Sequence, residues 1–365
     1  MARRALVLSG HLGAGHDVVA EACVRALEPH GVDSRVLDAL ALLGKQGSVV
    51  GDWVFKTLFS IPAVYDGFHF SQLRGGSRIA RLLDRLSLDN VWPRFLAEAD
   101  RFPPDLVVSV FATGGAAAAR YKREGHAATT VVFCTDTWVH RMWVHDETDL
   151  FLVTSAVSEA SVRSYRPRAR VEIVPAPARP AFYSPPTRAD ARAALGIDPD
   201  VPCALVISGA WGIGRLDEIA AALAREGLAV LAVAGRNQRL HERLREVARV
   251  HPGVHAFPFT DRVPELMAAC NVVVTASGDT CTEARAVGRG LVLLDVVPGH
   301  GRENLMHQLE QGGAVAAAPH PPVVAEAVTA YLERAGGRDP EPVTSRDSWE
   351  RPFLSALARA GFTTD

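Results

Sequence analysis

The chain is poor in the features that would place it outside a reducing compartment or inside a bilayer. Among 365 residues there are five cysteines, Cys23, Cys134, Cys203, Cys270 and Cys281, and none stands in a CxxC pair. An odd, scattered set of thiols argues against a disulfide framework and fits a reducing cytosol. No stretch offers the roughly 18 uninterrupted apolar residues of a membrane span, and the apolar run at 5–8 is too short for a signal segment. Lysine is nearly absent, and the formal net charge is −2. That balance gives no global basic excess for a nucleic-acid partner, while leaving a local basic patch free to meet a membrane surface. What is present is a globular composition, 48% hydrophobic and 22% charged, in a chain long enough for two domains.

Apolar runs alternate with helical segments. Residues 5–9 read as a strand, followed by a glycine-rich loop, an amphipathic helix over about 17–29 and a second strand at 32–37. Further strands are expected at 106–111, 130–134 and 150–154, with a small-residue helix at 116–121 after Thr113-Gly114-Gly115. Continuous apolar runs of this length suit parallel strands buried on both faces. Between them, 49–95 carries Trp53, Phe55, Phe59, Tyr65, Phe68, Phe70 and Trp92 among arginines, with helical rather than strand character, and suits either a membrane- or lipid-facing helix or a helical lid packed on the first domain. Five prolines in 175–186 mark a linker. The alternation then restarts, with strands at 204–208, 229–234, 255–257, 272–275 and 292–295 and helices at 217–226, 239–250, 263–269 and 280–287. The expected fold class is α/β, two Rossmann-like domains with a ligand cleft at the carboxyl ends of their strands. The expected division is 1–176, 177–340 and a tail helix over 341–365 that crosses back to the first domain.

Four strand-to-helix turns hold the chemistry-bearing residues. Gly10 to His16 lets backbone approach a ligand at a helix N-terminus, but its glycines lack the spacing of a dinucleotide fingerprint. His16 can take a proton from an alcohol, or can simply pack or cap. Ser208 to Gly214 repeats the design and suits a diphosphate. Ser277-Gly278-Asp279-Thr280 with Glu283 suits phosphate and a ribose or sugar hydroxyl; an ordinary cap by Asp279 or Thr280 is the competing reading. Gly299 to Asn304 offers Arg302, Glu303 and Asn304 to sugar hydroxyls, or is a solvated loop.

Taken in order, these segments resemble the GT-B glycosyltransferases of the monogalactosyldiacylglycerol synthase and processive diacylglycerol glucosyltransferase type (family 28-like). The resemblance runs from Leu6 to about Gly313. Ser9…Gly13-Ala14-Gly15-His16 is similar to the family's G-G-G-H loop. Thr135-Asp136…His140…Trp143-Val144-His145…Asp149 follows its T-D…H…W-V-H…D spacing, and Ala234-Gly235-Arg236-Asn237 is similar to its C-G-R-N. Phe259-Thr260-Asp261…Pro264-Glu265 and Ser277-Gly278…Thr280…Glu283 complete the pattern.

The resemblance implies an inverting hexosyl transfer from a UDP-sugar to a lipid, diacylglycerol-like, or another lipophilic acceptor. It implies no permanently bound cofactor and no metal. It makes His16 and Asp136 catalytic, with Gly13, Gly15, His140 and Trp143 on the acceptor side. It puts Gly209, Gly212 and Gly214 at the diphosphate and Arg236, Asn237, Phe259, Thr260 and Val263 at the nucleoside. Ser277, Gly278, Thr280 and Glu283 fall at phosphate and ribose, and Gly299, Glu303 and Asn304 at the sugar. The expected partners are a nucleotide sugar and a lipophilic acceptor, with no nucleic acid, in the cytoplasm or on the inner face of the cell membrane. A sugar-nucleotide epimerase or hydrolase on the same fold, or transfer to a secondary metabolite, are the alternatives. The chain departs from the family's P-G-Q-E, which reads Pro298-Gly299-His300-Gly301 here. Ser277 also replaces a usual basic residue, and Asp17 another, so the identity of the donor sugar stays open.

Overall fold

A computed structural model of the protein describes residues 3–10, 15–43, 77–207, 215–297, 299–342 and 345–363. The chain divides into two compact units. The first comprises Met1–Pro177, Pro298–His300 and Asp347–Asp365, and the second Ala178–Val297 and Gly301–Arg346.

The first unit is built on β1 (Arg4–Ser9), β2 (Asp33–Asp38), β3 (Leu106–Ser109), β4 (Thr129–Cys134), β5 (Leu150–Val153) and β6 (Val171–Ile173). They form one parallel sheet in the order β2-β1-β3-β4-β5-β6. Leu6, Leu8, Val107, Val132 and Phe151 are buried, as continuous apolar strands require when helices cover both faces. Those helices are α1 (Gly15–Leu27), α2 (Arg78–Arg101), α3 (Ala112–Arg123) and α4 (Ala156–Tyr165). The Thr-Gly-Gly sequence expected to precede a helix lies inside α3, which begins at Ala112. Close packing explains why glycine is used there. A Cβ on Gly114 would come within 2.5 Å of Ser109 Oγ and 2.8 Å of Leu8 Cβ.

The aromatic stretch 49–95 is described only from residue 77 onward, so its aromatics from Trp53 to Phe70 lie outside the described residues. In the part that is described, Trp92 and Phe95 turn inward, 7% and 0% exposed, and pack with Val91, Phe102 and Tyr121. Of the two readings of this stretch, these two rings fit a helix packed on the first domain, not a lipid-facing one. They complete the core instead, and Arg120 lies over Trp92 at 4.5 Å.

The second unit opens with α5 (Arg188–Leu195). Its strands are β7 (Cys203–Ile207), β8 (Ala229–Val233), β9 (Val254–Phe257), β10 (Val272–Ala276), β11 (Gly290–Leu294) and β12 (Ala314–Ala317), ordered β12-β11-β10-β7-β8-β9, all parallel. Helices α6 (Leu216–Arg225), α7 (Gln238–Val250), α8 (Val263–Ala269), α9 (Asp279–Val287), α10 (His300–Glu310) and α11 (Pro321–Ala335) accompany them. The strand expected to be the last, at 292–295, is followed by another, β12.

The tail helix α12 (Arg346–Arg359) packs within the first unit. Phe353 is fully buried and stacks on Phe133 with ring centroids 6.4 Å apart. Arg359 Nε donates to Glu172 Oε1 at 3.0 Å, and Arg170 Nη1 donates to the Arg359 carbonyl at 2.6 Å, so the tail is tied to β6 at its far end.

Candidate active site

In a parallel sheet, the point where strand order reverses opens a crevice at the carboxyl ends of the two diverging strands. The first unit reverses between β1 and β3, the second between β7 and β10. Every described candidate residue follows the carboxyl end of a strand or lies in the helix after it, and all but Gly299, which groups with the first unit, share that strand's unit.

At the first reversal, the buried Ser9 hydroxyl donates to Asp17 Oδ1 at 2.6 Å, binding the end of β1 to the first turn of α1. An acidic residue in that turn also favours the helix dipole. Gly10 has no alternative, since a Cβ there would lie 2.4 Å from the Phe111 ring. The imidazole of His16 meets the same ring edge-on at 5.2 Å and lies 6.4 Å from the Trp143 ring. His140 is 6.1 Å from Trp143. One aromatic cluster, drawn from the ends of β1, β3 and β4, therefore gathers His16, Trp143 and His140. Trp143 is 3% exposed, and its Nε1 is buried with no acceptor.

Asp136 lies half-buried in the loop after β4. That loop is pinned from α4: the Ser158 hydroxyl donates to the carbonyls of Thr137 (3.0 Å) and Asp136 (3.2 Å), and the Val139 amide donates to Ser161 Oγ at 3.0 Å. A carboxylate on a loop held this way has a fixed origin, as a base or an orienting group needs. The rest of the stretch is structural. His145 Nε2 pairs with the Met142 carbonyl at 3.0 Å, and burial pushes its pKa down to about 4, so it is neutral at pH 7. Asp149 accepts from the Thr130 amide at 2.9 Å and pairs with Lys122, joining β4, β5 and α3.

In the second unit, Ser277 and Gly278 form the exit from β10, and Gly278 caps α9 without a side-chain bond. The alternative of a side-chain cap from Asp279 or Thr280 does not hold. First-turn amides without a side-chain cap suit an anion. Thr280 and Glu283 are buried, 9% and 6% exposed. Glu283 Oε1 accepts from Arg179 Nε at 2.7 Å. Burial raises the Glu283 pKa to about 7 despite that guanidinium, which pulls the other way. Such a carboxylate readily accepts hydrogen bonds from a ligand's hydroxyls.

Arg236 and the 56% exposed Phe259 form a second surface, the guanidinium 5.1 Å from the ring centroid. Thr260 Oγ1 accepts from the Arg262 amide at 3.1 Å, and Val263 is buried at the start of α8. Asn237 acts locally, since its Oδ1 accepts from the Leu240 amide at 3.0 Å and caps α7. Gly299 has φ +64°, a left-handed position, and leads into α10. Glu303 and Asn304 thus sit half-buried on a helical first turn, not on a solvated loop. Gly13, Gly209, Gly212 and Gly214 lie outside the described residues, whereas Gly15 is the first residue of α1. Arg179 was not expected from the sequence. Its place in a proline-rich linker gave no sign of a partner in α9.

All five cysteines are buried, and burial pushes the thiols of Cys23 and Cys281 up to about 12, so none is poised as a nucleophile. Among the described residues, no group of three or more His, Cys, Asp and Glu side chains could hold a metal ion. Two surface concavities lie elsewhere, one between α6 and α11 and one around Arg3, Asp105 and Thr129 at the opposite strand ends; neither holds a candidate residue.

Residues 16–166 match the family described as monogalactosyldiacylglycerol (MGDG) synthase. The matched segment lies within the first unit. A processive diacylglycerol beta-glucosyltransferase of Bacillus licheniformis is 26% identical over 235 residues, 63% of this chain and 61% of that protein. Its namesake from Bacillus subtilis is 25% identical over 350 residues, 90% of this chain and 87% of its own length. Among solved structures, MurG of Acinetobacter baumannii superposes with TM-score 0.60 at 13% identity, covering 98% of this chain and 95% of its own. A UDP-GlcNAc 2-epimerase from Neisseria meningitidis, bound to UDP-GlcNAc, gives 0.61 at 11% identity, with 98% and 100% covered. These structures share the GT-B architecture, and at such identities they speak to the fold alone.

Proposed function

We propose that the protein is a UDP-sugar-dependent hexosyltransferase that moves a sugar, with inversion, onto a hydroxyl of a diacylglycerol-like or other lipophilic acceptor. The observation that carries this reading is the shared ring cluster of His16, Phe111 and Trp143 at the first reversal, inside the segment that matches the MGDG synthase family. An epimerase has no acceptor hydroxyl to deprotonate. The fold neighbours include epimerases, so architecture does not choose; the family match favours transfer.

Attack on the anomeric carbon needs a base for the acceptor hydroxyl and stabilisation of the departing diphosphate. In this reading His16 takes the proton, and Asp136 orients the acceptor or the imidazole. The first-turn amides of α9, together with the glycine-rich segment 208–214, receive the diphosphate. Glu283 accepts from ribose hydroxyls, Arg236 and Phe259 flank the base, and Glu303 and Asn304 meet the hexose. Among the described residues no helix is long and apolar enough to cross a membrane. In this reading the enzyme meets a lipid acceptor by peripheral contact at the membrane surface.

The test is UDP release from a panel of UDP-hexoses with and without lipid extract. Release should require acceptor. His16→Ala should cut it by roughly 10²- to 10⁴-fold, the usual span for a general base, with UDP affinity by calorimetry unchanged. Acceptor-independent release or isomerisation would favour the epimerase or hydrolase reading instead.

A further inference from the structure

The helix α10 is fastened at two places, to the turn that leaves β10 and to the following helix α9. At its start, the Ser277 hydroxyl donates to the Gly301 carbonyl at 2.7 Å, with both residues buried. Towards its end, Arg285 donates from Nε to Gln308 Oε1 at 3.0 Å and from Nη2 to the Gln308 carbonyl at 2.8 Å. The two fastenings differ in what they control. Arg285 holds the last turns, whereas Ser277 acts on the first turn, which carries Glu303 and Asn304. A charged contact in the same turn, Arg302 to Asp295 at 3.5 Å, joins side chains 51% and 44% exposed and adds little.

The first turn also has no slack of its own. A Cβ on Gly301 would lie 2.5 Å from Val297 Cβ and Cγ1, so the backbone of α10 presses directly on the segment leaving β11. No side chain at 301 can reach a ligand from this position. A carbonyl has two lone pairs, and the hydroxyl occupies one of them.

We propose that Ser277 is a positioning residue for donor-sugar selection: by holding the Gly301 carbonyl it fixes the first turn of α10 against the nucleotide turn, and so sets where Glu303 and Asn304 meet the hexose. This rests on the reading of the second unit as the donor-binding half. The only O–H of Ser277 is given to the Gly301 carbonyl, so the residue has none left to donate to the phosphate, the role the resemblance implied for it. Its loss should therefore alter discrimination between hexoses more than affinity for UDP.

Two substitutions in the full chain test this. Ser277→Ala deletes the hydrogen bond, and Ser277→Thr keeps the hydroxyl. Without any ligand, amide exchange over 300–305 should quicken roughly fivefold or more in Ser277→Ala, the effect of one lost buried hydrogen bond, and return towards wild type in Ser277→Thr. The ratio of kcat/KM for UDP-glucose and UDP-galactose, which differ only at the C4 hydroxyl, should shrink about fivefold in Ser277→Ala, with UDP affinity within about twofold of wild type. An unchanged hexose ratio with normal UDP binding, or unchanged exchange over 300–305, would overturn the role of Ser277 alone. A wild-type chain that does not bind UDP would instead remove the donor-half reading on which that role depends.

Discussion

Trp143 and His145 stand two residues apart and serve different ends. Trp143 joins the ring cluster around His16, while His145 is turned away from titration by burial and a carbonyl partner. A histidine whose folded pKa lies near 4, against about 6.5 unfolded, binds fewer protons folded than unfolded across that interval. Its contribution to stability is therefore complete above pH 6.5 and is lost as pH falls towards 4. Urea unfolding followed from pH 7 to pH 4 should show on the order of 3 kcal/mol more loss in the wild type than in His145→Gln. Equal slopes would show that His145 is solvated. The sequence marked both residues by one spacing pattern but could not separate their roles, because which ring is desolvated depends on α3 and α4 packing over the loop. Asn237 and Ser277 teach the same lesson. The first satisfies a helix end three residues away, and the second meets a carbonyl 24 residues away, a contact no local pattern carries.

At the scale of elements, the strands were legible because each is buried on both faces and reads as an unbroken apolar run; β1, β4 and β10 fall within a residue or so of their expected bounds. Elements lacking that signal were missed. The strand β6 has three residues, none of them buried. The helix α10 begins His-Gly-Arg-Glu-Asn, which has no apolar periodicity and reads as a loop. The helix α3 opens on Ala-Thr-Gly-Gly, which reads as a turn until the closeness of Leu8 and Ser109 explains the glycines. The tail helix α12 was expected from its amphipathic pattern, and its packing on Phe133 gives that expectation an energy. Phe353→Ala should destabilise the first unit by about 3–5 kcal/mol, the cost of emptying a fully buried aromatic site. Denaturation followed by tryptophan fluorescence checks this. A loss below about 1 kcal/mol would mean that the tail contributes no core.

The whole molecule repeats one device. Each unit is a six-stranded parallel sheet with one reversal of strand order, and the candidate groups of each cluster after the carboxyl ends of its strands. The two units carry different chemistry: histidine, tryptophan and a pinned aspartate in the first, helix-start amides with a buried glutamate in the second. In the proposed reading this difference serves a reaction with two unlike substrates, one unit activating the acceptor hydroxyl and the other receiving the diphosphate. The most direct measurement is hydrogen–deuterium exchange on the full chain with and without saturating UDP. Donor binding in the second unit predicts slowed exchange over 277–287 and 299–305, and none over 129–153 in the first. Protection confined to the first unit, or absent from both of those second-unit segments, would contradict it.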